Sequence, residues 1–346
     1  MPSVVLNVPW RVIKRIVYGR GVNPSDRLQL PSLDADLVRF EALLAASIVV
    51  GDEFLDSVTT HLTGAGGKYL RPLLAICSAT GGERPASEED LLGAVALELM
   101  HLASLYHDDV LDKAKVRRNV DTVNARYGNL VAIVAGDFLM AQSASIAANL
   151  GANFAELLAN TLMQLTRAQI SEMSTAFSVD RSLVDYFETI EGKTASLMSA
   201  SCRIGAMTAG LRSDQIEALS SFGRNFGMIY QLRDDILDLI DVNYELAKPA
   251  GQDLVVGIYN LPTLFALRDP LIGAELRGVL GGVLNDDDRE RARKLVVATD
   301  GVAQTVAAAQ DFLARGHEEL TTLPNESLRD AFGSLIDSLM EDLPSY

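Results

Sequence analysis

Residues 88–112, EEDLLGAVALELMHLASLYHDDVLD, decide the fold. The run shows no strand-like alternation, is rich in Ala and Leu, and is apolar nearly all round a helical wheel. It therefore reads as a long helix inside a large bundle. It closes on Asp108, Asp109 and Asp112. Side chains at i and i+4 leave one face of a helix about a turn apart, so Asp108 and Asp112 point together. Neighbouring carboxylates in apolar surroundings repel one another and are costly to desolvate. A cation removes both penalties. His101 stands seven residues earlier and shares that face; a lone histidine on an apolar helix is usually a satisfied core group, and its alignment here makes ligand contact an equal reading.

The pattern recurs further along, in QLRDDILD, as Asp234, Asp235 and Asp238. One such cluster is most often a solvated helix face. Two matched clusters, each flanked by Leu, Ile or Val, argue for a site. Mg²⁺ takes hard oxygen ligands in ones and twos, with waters retained, where it also binds substrate phosphates. Two facing helices of this kind would clamp Mg²⁺ and a diphosphate. A third cluster, Asp286 to Asp288 in NDDDRERARK, is the contrast. It is polar throughout, and Asn285 or an early Asp reads as a helix N-cap with favourable first-turn charges.

Cations gather near the first pair of clusters. Arg117 and Arg118 follow Asp112, at the end of its helix or in the next loop, and guanidinium forks grip phosphate oxygens. GAGGKYLRPL brings Lys68 and Arg71 after a Gly-rich turn, with Pro72 suited to a first helical turn. Gln231 shares a face with Asp238, seven residues on. Lys193 and Thr194 in EGKTASL read as a helix cap or a further phosphate contact.

The remainder is helix after helix. Gly64 to Gly67, Gly81-Gly82, Gly151, Gly192, Gly210, Pro249 to Gly251 and Pro270 punctuate the chain. The expected fold is all-α, one domain of roughly ten or more helices over residues 35–346. Residues 1–34 form an N-terminal arm. In it Val12, Ile13, Ile16 and Val17 oppose Arg11, Lys14, Arg15 and Arg20, after the single Trp10. Such a segment can dock on its own core or a partner, stay disordered, or rest peripherally on an anionic membrane; docking or disorder is the preferred reading. A net charge of −16 excludes a typical nucleic-acid binder. No uninterrupted apolar run reaches the ~18 residues of a spanning helix. Cys77 and Cys202 lack metal-ligand spacing and fit reduced, buried thiols in the cytosol.

GGKYLRP, MHLASLYHDDVLD with its trailing arginines, AGDFL, GKTASL, QLRDDILD and GQDLVVGIYNLP resemble, in order and spacing, the motifs of trans-isoprenyl diphosphate synthases of the polyprenyl synthetase family, over residues 45–270. The resemblance implies an all-α isoprenoid synthase fold around a central cavity, a homodimer, and about three Mg²⁺ ions on the substrate diphosphate. It implies catalytic roles for Asp108, Asp109, Asp112, Lys193, Asp234 and Asp235, with Asp238 completing the metal ligands. Arg117, Lys193, Thr194 and Gln231 would contact the allylic diphosphate, and Lys68, Arg71, His101 and Arg118 isopentenyl diphosphate. In the family, aromatic residues one turn below the first motif form the floor of the product tunnel. Here Ala103 and Ser104 are small and Met100 lies deeper, which suggests a product longer than C15, such as a quinone side-chain precursor. The chain departs from the pattern at Gln252 and Ile258, where the family often has Lys, and at Asn260, a common Thr. Two alternatives remain. A class I terpene cyclase would carry a different second motif and leave Lys68, Arg71 and His101 unexplained. A non-catalytic subunit of a heteromeric synthase should have lost aspartates.

Overall fold

The computed structural model describes residues 28, 30–64, 69–240 and 250–344. The arm residues Trp10 to Arg20, Lys68 of the Gly-rich turn, and Pro249 lie outside the described residues. In chain order the principal helices are α1 (Leu33–Ile48), α2 (Leu70–Thr80), α3 (Glu88–Leu111), α4 (Asn129–Leu150), α5 (Ala152–Thr175), α6 (Leu183–Ile190), α7 (Ser196–Thr208), α8 (Ser213–Ile240), α9 (Gln252–Val256), α10 (Leu261–Ala266), α11 (Asp286–Val297), α12 (Gly301–Leu320) and α13 (Glu326–Asp337). The fold is all-α, as the sequence implies. Among the described residues the one departure is a two-residue antiparallel hairpin, Val116–Arg117 with Val120–Asp121. The chain divides into two compact units, residues 1–158 with 204–211, and residues 159–203 with 212–346.

In the first unit α3 is the buried axis. A capping box fixes its start: the Asp90 amide donates to Ser87 Oγ, and the Ser87 amide to the Asp90 carboxylate. Arg84 adds a bond to the same carboxylate. From Leu91 to Ala103 almost every side chain is buried, as the all-round apolar pattern requires. α4 lies along α3, and Ser143 Oγ donates to the Ala96 carbonyl across the seam. α4 is long and apolar enough, by length and composition, to cross a membrane. Its apolar run is interrupted by Asp137. The last turn of α7 meets α2 backbone to backbone, because a Cβ on Gly205 would lie 2.0 Å from the Ala75 carbonyl oxygen. That contact seats the helix that carries Arg71.

In the second unit α8 is the axis and α12 its main neighbour. Phe222 of α8 stacks on Phe332 of α13 with centroids 4.7 Å apart. Gly81, Gly151 and Gly210 take positive φ and end helices as read from the sequence. Gly192 does not end one. It sits in a π-helical turn, Glu191–Ala195, that joins α6 to α7 without interruption. A Cβ there would approach Ala168 Cβ to 2.7 Å and the Gln164 carbonyl oxygen to 2.9 Å, so the glycine serves close packing. Asn285 is the α11 cap that the polar cluster suggested, its side chain accepting from the Asp288 amide.

Candidate active site

Both acidic motifs lie at the C-terminal ends of long helices. Asp108 and Asp109 are in the last turn of α3 and Asp112 is its C-cap, with no basic side chain in that turn. The helix dipole is negative there, so three carboxylates are electrostatically adverse until a cation is supplied. Adjacent aspartates point in different directions. Asp108 is half-buried and Asp112 exposed, whereas Asp109 turns inward and is 1% exposed. Asp109 Oδ1 accepts from Arg117 Nε at 2.7 Å, while its buried Oδ2 has no hydrogen-bond partner. Burial raises the Asp109 carboxyl above the usual range, against the pull of Arg117. The hairpin delivers this arginine. Its turn residues Arg118 and Asn119 have φ of 51° and 62°, a left-handed conformation that costs an arginine roughly 1–2 kcal/mol. Strain of that kind persists where the surrounding structure over-determines it.

On α2, Arg71 Nη1 lies 3.1 Å from His101 Nε2. A guanidinium only donates, so Nε2 accepts and the imidazole proton is assigned to Nδ1. Burial first, then Arg71, Arg118 and Arg117, depress the His101 pKa well below its ordinary value, so the ring is neutral. The fold brings Arg71, His101, Arg117 and Arg118, which the sequence reading divided between two substrates, into one electrostatic cluster. That reading left out one member, Glu98, one turn before His101 on α3 and 2% exposed. Burial pushes this carboxyl up to about 7, opposed by Arg71 and Arg118. Only its spacing of three from His101 could have flagged it. Ala103, Met100 and Ser104 are all buried on the same helix, with Ser104 Oγ bonded to the His101 carbonyl.

Glu98 gives stability a pH dependence. Its folded carboxyl keeps a proton up to about 7, and the unfolded one releases it near 4.5. The folded state binds more protons in that window, so this contribution to stability is present below it and lost as pH rises through it. Glu98→Gln should remove up to roughly 3 kcal/mol of that fall. Unfolding of wild type and variant at pH 5 and pH 8 checks it; equal losses on going to pH 8 would refute it.

In the second unit, Asp234 is exposed near the end of α8 while Asp235 is 4% exposed. Both oxygens of Asp235 are engaged: Oδ2 accepts from Tyr186 Oη at 2.5 Å and Oδ1 from Gln231 Nε2 at 2.8 Å. Thr194 Oγ1 in turn donates to Gln231 Oε1 at 2.8 Å. Gln231 therefore serves Asp235, one turn on, and not Asp238. Burial raises Asp235 to about 7 despite both bonds. Asp238 accepts from the Gln252 and Asp253 amides at the start of α9, and burial raises it as well. Asp253 is raised well above the ordinary carboxylate range, by burial and then by Asp238, Asp235 and Glu172. Lys193 is ion-paired with Glu172. Behind them Arg181, 4% exposed, donates to Thr189 Oγ1 and lies 5.7 Å over the Tyr186 ring. A cleft of about 190 Å³ is lined by Glu172, Arg181, Tyr186, Lys193, Asp253 and Ile258, among others. The sequence reading missed Tyr186, Glu172, Arg181 and Asp253. Tyr186 precedes Lys193 by seven, a helical spacing that could have found it. Asn260 is buried, donating to the Asp235 carbonyl and accepting from Thr263 Oγ1.

Among the described residues no three His, Cys, Asp or Glu side chains converge to enclose a metal unaided. Exposed carboxylates at adverse helix ends, a buried carboxylate oxygen without a partner, and mutually repelling acids still fit a hard divalent cation. Such an ion takes few protein oxygens and completes its shell with water and phosphate.

A helical fold bearing two acidic helix ends, one beside a cluster of cations, defines a diphosphate-handling class. A family model described as polyprenyl synthetase matches residues 52–298, and the chain belongs to that family. It is 36% identical over 320 residues to a nonaprenyl diphosphate synthase of Mycobacterium tuberculosis, covering 92% of this chain and 95% of that one. It is 34% identical over 315 residues to heptaprenyl diphosphate synthase component 2 of Geobacillus stearothermophilus, covering 91% and 95%. A solved polyprenyl synthase from Caulobacter crescentus, complexed with calcium and isoprenyl diphosphate, matches with a TM-score of 0.85 at 28% identity, covering 94% of this chain and 100% of that one. The protein is an enzyme, a prenyltransferase.

Proposed function

We propose that the protein condenses isopentenyl diphosphate head-to-tail with an allylic diphosphate, giving a trans-polyprenyl diphosphate longer than C15. The observation that carries this is the pairing, within the first unit, of an acidic helix end with the Arg71–His101–Arg118 cluster; the second unit carries an acidic helix end of its own. Asp108 and Asp112 would hold Mg²⁺, as would Asp234 and Asp238, about three ions in all serving the allylic diphosphate. Asp109 and Asp235, buried and hydrogen-bonded, set the orientation of their neighbours. When bound, Mg²⁺ neutralises charge on the departing pyrophosphate. Arg117, Lys193, Thr194 and Gln231 contact that diphosphate, and Lys193 exchanges Glu172 for it. Arg71, His101, Arg118 and Lys68 hold isopentenyl diphosphate, and neutral His101 donates from Nδ1. The allylic C–O bond breaks with its electron pair leaving on pyrophosphate. The isopentenyl double bond supplies the pair for the new C–C bond, and a proton is lost to pyrophosphate. Buried apolar residues of α3 exclude water that would quench the cation. The calcium and isoprenyl diphosphate named for the Caulobacter protein support the divalent ion and the substrate class.

Ala103, Ser104 and Met100 leave the product path open, and the names of the nonaprenyl and heptaprenyl synthases support that length. Purified protein supplied with Mg²⁺, labelled isopentenyl diphosphate and farnesyl diphosphate should yield products of C30 or beyond, and Ser104→Phe should shorten them. A wild-type stop at C15 or C20 would overturn the length; no incorporation from any allylic primer would overturn the reaction. The enzyme acts in the cytosol, a reading supported by two buried free thiols, and as a homodimer. Leu130, Ile133 and Val134 form an i, i+3, i+4 apolar stripe on α4, with Leu130 81% exposed, which a second copy would cover. Sedimentation at one chain mass would sink the dimer.

A further inference from the structure

Arg233 stands inside QLRDDILD, directly before Asp234, and the reaction above gives it no role. Its side chain is 20% exposed and its buried Nε has no hydrogen-bond partner. The two terminal nitrogens face two different carboxylates. Nη1 lies 3.6 Å from Asp234 Oδ1, a loose ion pair, while Nη2 is bonded to Asp342 Oδ2. Asp342 comes from the C-terminal end of the described chain, after the 3₁₀ turn Ser338–Met340. Its position is fixed by apolar packing: Leu343 and Met340 join Ile236, Val302 and Val306 in one cluster. The carboxylate is thus delivered to Arg233 by the anchorage of the C-terminal segment on α8 and α12.

We propose that Asp342 is a positioning residue, holding the Arg233 guanidinium on the C-terminal segment so that Asp234 can serve a divalent cation. The inference rests on the reading of Asp234 as a cation ligand. A guanidinium fork and a metal ion compete for the same carboxylate lone pairs. With Asp342 present, one arm of the fork is taken and the contact from Arg233 to Asp234 stays long. Without it, rotation about the last side-chain bonds lets both arms turn to Asp234, and the cation must displace them. Asp342 is 62% exposed, so the solvent-screened pair is worth a modest factor, roughly two- to fivefold in cation affinity.

The test is Mn²⁺ binding to the full chain with inorganic pyrophosphate present, read from the free-Mn²⁺ paramagnetic resonance signal, with thermal unfolding run alongside. Asp342→Ala should weaken Mn²⁺ binding roughly two- to fivefold at unchanged melting temperature, and Asp342→Glu should restore it. The double variant Asp342→Ala/Arg233→Gln should bind Mn²⁺ at least as tightly as wild type, since no guanidinium remains to compete. Asp234→Asn is the reference for the ligand reading. Weak binding in Asp234→Asn beside wild-type binding in Asp342→Ala overturns the positioning role alone. A double variant as weak as Asp342→Ala also overturns it, because the loss would then not pass through Arg233. Unchanged binding in Asp234→Asn overturns the ligand reading and this inference with it.

Discussion

Asp108→Asn is expected to lower kcat on the order of 10³-fold while leaving the melting temperature unchanged or slightly raised. The activity loss follows from weakening a cation that offsets charge on the leaving pyrophosphate, a transition-state interaction of several kcal/mol. The stability gain follows from geometry. Asp108 and Asp112 are a like-charge i, i+4 pair at the negative end of α3, and relieving one charge returns a few tenths of a kcal/mol. Asp234→Asn on α8 should behave in the same way. Asp109→Asn should not. Asp109 is buried and its Oδ1 holds Arg117, so neutralising it leaves a charged donor poorly matched, at about 1–3 kcal/mol. Steady-state kinetics with thermal unfolding separates the two classes. If Asp108→Asn and Asp109→Asn fell equally in stability, the division into cation-facing and inward carboxylates would be wrong.

That division explains what the sequence conceals. The i, i+4 pairs, the helical class and the Asn285 cap follow from spacing alone and are legible. Asp108 and Asp109 are equivalent letters, yet 100° of helical rotation sends one toward solvent and the other to Arg117. Glu98 is buried and lies in the field of Arg71 on α2 and of Arg118, neighbours that spacing cannot place. The hairpin at Val116–Asp121 carries no Asn-Gly signal because its turn is made by Arg118 and Asn119 at positive φ. The pairing of Lys193 with Glu172 joins residues 21 apart on two helices. Gly192 was legible as a glycine but not as to use, since a terminator and a close-packing residue look alike until the neighbour is known.

The glycine at 227 carries a large structural effect that also reaches the site. Gly223 and Gly227 lie one turn apart on α8, and a Cβ on Gly227 would stand 2.5 Å from Ala195 Cα and 3.2 Å from Met198 Cγ. Two effects compete in Gly227→Ala. Helix propensity favours alanine by about 1 kcal/mol. Overpacking against backbone costs about 1–3 kcal/mol, and more where the neighbour cannot yield. An α-carbon cannot rotate away, so overpacking wins, with a net loss of about 2 kcal/mol and a fall of roughly 3 °C in melting temperature. The strain also reaches the site. Gln231 lies one turn beyond Gly227, and its 2.8 Å bond from Thr194 requires α8 to sit this close to the π turn. Forced apart, Gln231 loses Thr194 and Asp235 loses an oriented donor, so KM for the allylic diphosphate should rise while KM for isopentenyl diphosphate holds. Gly278→Ala is the control. It is helical and exposed with nothing within 4 Å of its Cβ, so propensity alone acts and stability should rise by up to about 1 kcal/mol. A Gly227→Ala protein as stable as the Gly278→Ala protein would show that α8 does not need the close approach.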